Sequence, residues 1–114
     1  MRLTIETRQA VPDITVLELK GFLTLGNQLL DAERSLATMI EQGPKKIIFD
    51  MGEVEMIDSA GVGLLLLCAG VSERVGGEMR IARPNARVGQ IFEITHLAQI
   101  VPIHQDLDLA LESF

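Results

Sequence analysis

The chain has 114 residues, 47% hydrophobic and 23% charged, with a formal net charge of −6, which suits one domain with its own core and not a disordered tail. The negative balance, with no dense cluster of Lys and Arg, argues against nucleic acid as a partner, and four Phe with no Trp or Tyr leave no aromatic platform for stacking bases. The single cysteine excludes an internal disulfide, and the longest apolar run, Val62 to Val71, is far short of the ~20 residues that span a bilayer, so no membrane span is expected.

At the N-terminus Met1-Arg2-Leu3-Thr4-Ile5-Glu6-Thr7 alternates apolar and polar residues, which is strand periodicity and not the continuous apolar run of a signal peptide; a cytoplasmic location is the expectation. After a turn at Val11-Pro12-Asp13 a second strand begins. Its apolar phase changes between Ile14/Val16 and Leu17/Leu19, so both of its faces should be covered, and Gly21 is expected to end it. Asn27 is placed to cap a helix whose apolar face is Leu29, Ala32, Leu36, Met39 and Ile40, and Gly43-Pro44 stop it.

Lys46 to Phe49 reads as a short central strand, followed by a polar connector and a sharp turn into a helix from Ala60 to about Val75, the most buried helix of the chain. Ile47, Ile48, Phe49, Leu64, Leu67, Cys68 and Val71 are expected to share one core. Gly76-Gly77 ends the helix, Met79 to Ala82 forms another strand, and Asn85 caps a third helix with Val88, Ile91 and Phe92 inward. Val101-Pro102-Ile103 leads into a short edge strand, and a last helix spans about Asp106 to Glu112. The order β-β-α-β-α-β-α-β-α predicts a single α/β domain, residues 1–114, with a mixed sheet of four to five strands and right-handed βαβ crossovers.

Several chemistries can be weighed on the residues alone. A serine hydrolase elbow requires Gly-x-Ser-x-Gly, but Ile57-Asp58-Ser59-Ala60-Gly61 lacks the first glycine, and His96 and His104 are generic base candidates. Gly61-Val62-Gly63 is followed by leucines where a phosphate-binding loop needs lysine. Cys68, His96, His104 and Asp106 lack zinc-ligand spacing, so neither metal nor cofactor is indicated, and Cys68 reads as a small buried hydrophobe. Glu53, Glu55 and Asp58 read as a solvated connector. Ser59 and Asp58 both stand where a helix begins, and there a hydroxyl is either an N-cap or a group to which phosphate can be added beside unpaired amides and a positive dipole end.

Asp58-Ser59-Ala60-Gly61-Val62-Gly63, after an apolar strand ending in Asp50 and before Gly76-Gly77-Glu78-Met79-Arg80-Ile81, resembles the STAS domain of bacterial anti-sigma-factor antagonists. The likeness extends along the chain through Gly21, Gly43, Arg87-Val88, Ile94-Thr95-His96-Leu97 and Ala110-Leu111. The resemblance implies a non-enzymatic regulatory module that sequesters an anti-sigma factor, itself a serine kinase, and so frees a sigma factor. It implies phosphorylation of Ser59 by that kinase and reversal by a serine phosphatase, with Asp58, Ala60, Gly61, Val62, Gly63 and Thr24 forming the surroundings of the switch. Phe22-Leu23-Thr24 departs from the family, many of whose members carry acidic residues here. The alternative within the same fold is a module that binds a small ligand or lipid, or an adaptor in a larger assembly.

Overall fold

The computed structural model describes residues 2–114; Met1, the first residue of the alternating stretch, lies outside them. Five strands form one sheet in the order β1-β2-β3-β4-β5: β1 (Thr4–Val11), β2 (Ile14–Leu23), β3 (Lys46–Ile57), β4 (Glu78–Ala82) and β5 (Ile103–His104). Only β1 runs antiparallel to its neighbour; β2 to β5 are mutually parallel. Helices α1 (Asn27–Gln42), α2 (Ser59–Arg74), α3 (Ala86–Ile94) and α4 (Leu107–Glu112) connect or follow the strands, with a 3-10 turn at Leu97–Gln99. The element order matches that read from the sequence.

The change of phase in β2 has the anticipated cause. Leu17, Leu19 and Leu23 pack with Ile47, Phe49 and Met51 of β3 into the main core, which takes in α1, α2 and α3. Ile14 and Val16 belong to a smaller cluster with Ile48, Ala82 and Ala110, closed by Leu107, Leu111 and Phe114. Three helices therefore contribute to the main core and α4 to the other, so Ile48 does not share a core with its neighbours Ile47 and Phe49, since successive strand residues point to opposite faces.

Three boundaries differ from the sequence reading. β2 does not end at Gly21 but runs through it to Leu23; the glycine has φ +99° and a Cβ there would lie 2.2 Å from the Arg2 carbonyl oxygen, so it marks a close approach of the N-terminal segment and not a stop. α1 is preceded by Gly26 as N-cap, without a side-chain cap, and Asn27 is its first residue. The polar connector after Phe49 is strand: β3 continues to Ile57 beside β2, with register shifts opposite Glu18/Lys20 and Gly21/Phe22. Each shift inserts an extra β3 residue and resets its alternation, which is why Met51, Val54 and Ile57 are all buried despite their irregular spacing.

α2 carries seven buried residues, Gly61, Val62, Leu64, Leu65, Cys68, Val71 and Ser72, against four on α1. Leu67 is not among them: it is 43% exposed, whereas Leu65 is fully buried. The apolar stripe of α2 is wide enough that periodicity alone does not mark its edge. Burial pushes the Cys68 thiol up to about 12, with the charge of Glu33 adding to the effect, in keeping with an inert core group. Leu65→Ala should cost about 2 to 5 kcal/mol in urea denaturation, while Leu67→Ala should cost less than about 1 kcal/mol; the reverse order would place the wrong face of α2 against the sheet.

Candidate functional site

The parallel strands β2 and β3 end side by side, with Leu23 opposite Ile57. At that edge the chain leaves β2 through Thr24 and Leu25 and leaves β3 through Asp58 into α2. Asp58 is the N-cap: its Oδ1 accepts from the Gly61 amide at 2.9 Å, and its Oδ2 accepts from the Leu25 amide at 2.9 Å. Its own amide donates to the Leu23 carbonyl at 3.4 Å. One residue therefore caps the helix and pins the segment after β2 to it.

Burial raises the pKa of the Asp58 carboxyl, but the amides of Leu25, Gly61 and Ala60, together with its own, outweigh this and hold it below the ordinary 3.8. Hydrogen bonds to the charged form are the cause. The group therefore favours the folded state above the ordinary carboxylate value, and that contribution fades as pH falls through the lowered value.

Ser59 is the first residue of α2 and is exposed. The cap is supplied by its neighbour, so the serine is not needed for that purpose. The two glycines that follow differ in function. A Cβ on Gly61 would meet the Leu23 carbonyl oxygen at 2.1 Å and Ile57 Cγ1 at 2.7 Å, whereas one on Gly63 would meet nothing within 4 Å. Gly61 lets the start of α2 lie against the end of β2; Gly63 is exposed and leaves a flat surface on the outer side of the first turns. Val62 is buried, while Ala60 and Thr24 are partly exposed. The structure thus gathers Thr24 and residues 58–63 at one edge, with exposed Leu25 and Met56 flanking them.

Glu53 and Glu55 are exposed residues of extended β3, and the strand rise of about 3.3 Å per residue sets an upper bound of roughly 20 and 13 Å on their separation from Ser59. Asp58 is the adjacent acid. His96, exposed between α3 and the 3-10 turn, and His104, on β5, are on elements remote in sequence from Ser59, and among the described residues no cluster of metal-ligating side chains is found.

A polar centre that periodicity did not reveal lies further back along β3. Asp50 is fully buried and accepts a forked pair of hydrogen bonds from Arg83, Nε to Oδ1 at 2.8 Å and Nη2 to Oδ2 at 3.0 Å. The Gly52 amide donates to Oδ1 at 3.1 Å, and Arg8 approaches to 3.9 Å. The hydrogen bond to Asp50 raises the Arg83 pKa against the opposing effect of partial burial, with the charges of Asp50, Glu18 and Glu53 adding to it. The signal in the sequence was an acidic residue directly after Ile47-Ile48-Phe49, where the strand is buried on both faces.

These features define a small α/β module with no helix among the described residues long and apolar enough to cross a membrane, presenting an exposed serine at the edge where two parallel strands end. The chain belongs to the STAS domain family, whose profile matches residues 5–110. It is 28% identical over 109 residues to BtrV of Bordetella bronchiseptica, assigned as an anti-sigma factor antagonist, covering 95% of this chain and 92% of that protein. A Thermotoga neapolitana protein with the same assignment is 30% identical over 102 residues, covering 90% of each. A crystal structure of a Thermotoga maritima protein, again assigned as an anti-sigma factor antagonist, superposes with a TM-score of 0.83 at 25% identity, covering 95% of this chain and 92% of that one.

Asp58→Ala should destabilise the domain by about 1 kcal/mol at pH 7. The gap between variant and wild type in urea denaturation should narrow below the ordinary carboxylate value of 3.8, as the wild-type carboxylate is protonated. An equal gap at pH 7 and pH 3 would mean that the charge of Asp58 does not support the cap.

Proposed function

We propose that this protein is an anti-sigma factor antagonist, a non-enzymatic binding module that sequesters an anti-sigma factor with serine kinase activity, is phosphorylated by it on Ser59, and is reset by a serine phosphatase. The observation that supports this most directly is the division of labour at the start of α2: Asp58 provides the cap and leaves Ser59 exposed and free for modification. The assignment of the relatives as anti-sigma factor antagonists favours the same partner class. No part of the reading requires a cofactor.

The physics of the switch follows from the surroundings. A partner covering Leu25, which is 74% exposed, and Met56 would also cover Ser59 and Gly63. A phosphate adds about −1.5 to −2 charge at neutral pH, so the covered surface would have to strip water from a dianion next to the Asp58 carboxylate, which is costly without a cation to pair with it. The domain itself bears less of this cost, because the added group stays in water when the partner is absent and meets the positive end of the α2 dipole. Phosphate therefore weakens the complex more than it weakens the fold.

Incubation with the cognate kinase should add one phosphate that Ser59→Ala abolishes, as read by mass spectrometry. Calorimetry should then show at least a tenfold loss of affinity for the partner, about 1.4 kcal/mol, on comparing phosphorylated with unmodified protein. Unchanged or increased affinity would refute the switch and turn attention to ligand binding or an adaptor function; a ligand in native mass spectra would support the former.

A further inference from the structure

The outer half of β3 leads directly to Ser59, yet it lacks a strand neighbour on one side. β3 and β4 pair only as far as Asp50 opposite Ala82, while β3 runs on to Ile57 beside β2. Beyond Ala82 the chain enters the link to α3, and two side chains of that link, Arg83 and Asn85, take the place that β4 has vacated.

Their contacts are specific. Arg83 has φ 60°, in the left-handed region that side-chain-bearing residues seldom occupy and that persists where surrounding contacts over-determine it. Its guanidinium is locked by the forked pair to buried Asp50, an arrangement that fixes orientation as well as distance. It also lies directly on the strand: a Cβ on Gly52 would come within 2.5 Å of its Cζ. Asn85 has two partners. Its Oδ1 accepts from the Val88 amide at 2.8 Å and caps α3, while its Nδ2 donates to the Val54 carbonyl at 3.0 Å. The Arg83–Asp50 contact is at the point where β4 pairing stops, and the Asn85–Val54 contact lies about midway along the chain from there to Ser59.

We propose that Arg83 and Asn85 are positioning residues for Ser59: by clamping Asp50, Gly52 and Val54 they hold the half of β3 that β4 leaves uncovered, and with it the start of α2, in the place where a kinase meets the hydroxyl. The inference rests on the reading of Ser59 as the phosphorylated group. Ile57, the last residue of β3, packs in the main core and touches the start of α2, its Cγ1 lying where a Gly61 side chain would go, so a shift of the strand end passes directly to the first turn of the helix. Because phosphoryl transfer depends steeply on the alignment of the attacking oxygen, loosening the clamp lowers the rate of transfer before it unfolds the domain.

The test uses the full chain and its cognate kinase, with Arg83→Lys, which keeps the charge and loses the fork, and Asn85→Ser, which can still cap α3 but is too short to reach Val54. Leu36→Ala, in the core under α1, serves as a destabilised control remote from the clamp. Hydrogen exchange read by mass spectrometry should be accelerated over residues 51–58 by at least about tenfold more than over the rest of the chain in both clamp variants, and by no such margin in the control. At a temperature where all four proteins are folded, kcat for transfer to Ser59 should fall at least about tenfold in the clamp variants with KM changed less than about twofold, and should hold in the control. Unchanged exchange, unchanged kcat, or an equal fall in the control would overturn the positioning role while leaving Ser59 as the site. Absence of phosphate on Ser59 in the wild type would overturn the phosphorylation reading itself, and the positioning role with it.

Discussion

The Asp58 carboxylate is the contact on which the geometry of the site depends. One oxygen caps α2 through the Gly61 amide and the other holds the Leu25 amide of the segment leaving β2. The ends of two parallel strands and the start of a helix thereby meet on a single charged side chain. Caps of this kind stabilise by about 1 kcal/mol, which is small beside the core beneath, but their consequence here is directional. With the Asp58 carboxylate turned to two backbone segments, the next residue, Ser59, is left on the surface at the positive end of the helix, and Gly61 allows the backbone of that turn to rest on Leu23.

The fold was largely legible because most boundaries are written in residues with strong local preferences. Gly43-Pro44 ends α1, Asn85 caps α3, and Gly76-Gly77 follows α2, each by a mechanism confined to a few neighbouring residues. The misreadings share a different origin. The outer half of β3 looked like a connector because two bulges break its period, and a bulge is set by the partner strand and not by the residues that contain it. Leu67 reads as an inward residue because α2 is apolar on nearly all sides, so that its exposed edge is decided by what α1 and the sheet leave uncovered. Asn27 was a plausible cap, but the chain turns into α1 one residue earlier, at Gly26.

The candidate site was legible to a similar degree. Asp58, Ser59 and the glycines are contiguous, and their capping chemistry is local. Thr24 reaches them through the pairing of Leu23 with Ile57 and the hold of Asp58 on the Leu25 amide, and Arg83 meets Asp50 across 33 residues of sequence. No short-range pattern signals such a pair, although a buried carboxylate needs a partner. The electrostatics next to Ser59 are set by Asp58, the helix dipole and the water that a partner would displace.

The central claim is that a phosphate on Ser59 changes the surface and leaves the fold as it is. Amide chemical shifts of the isotopically labelled protein, recorded with and without the phosphate, test this most directly. The account predicts that the shifts change at residues 23–26 and 56–63, where the strand ends and the first turn of α2 meet, and that the amides of α4 and of the β1–β2 hairpin keep their positions. Changes spread through α4 and the hairpin would contradict it, since they would show that the modification reorganises the domain instead of marking one edge of it.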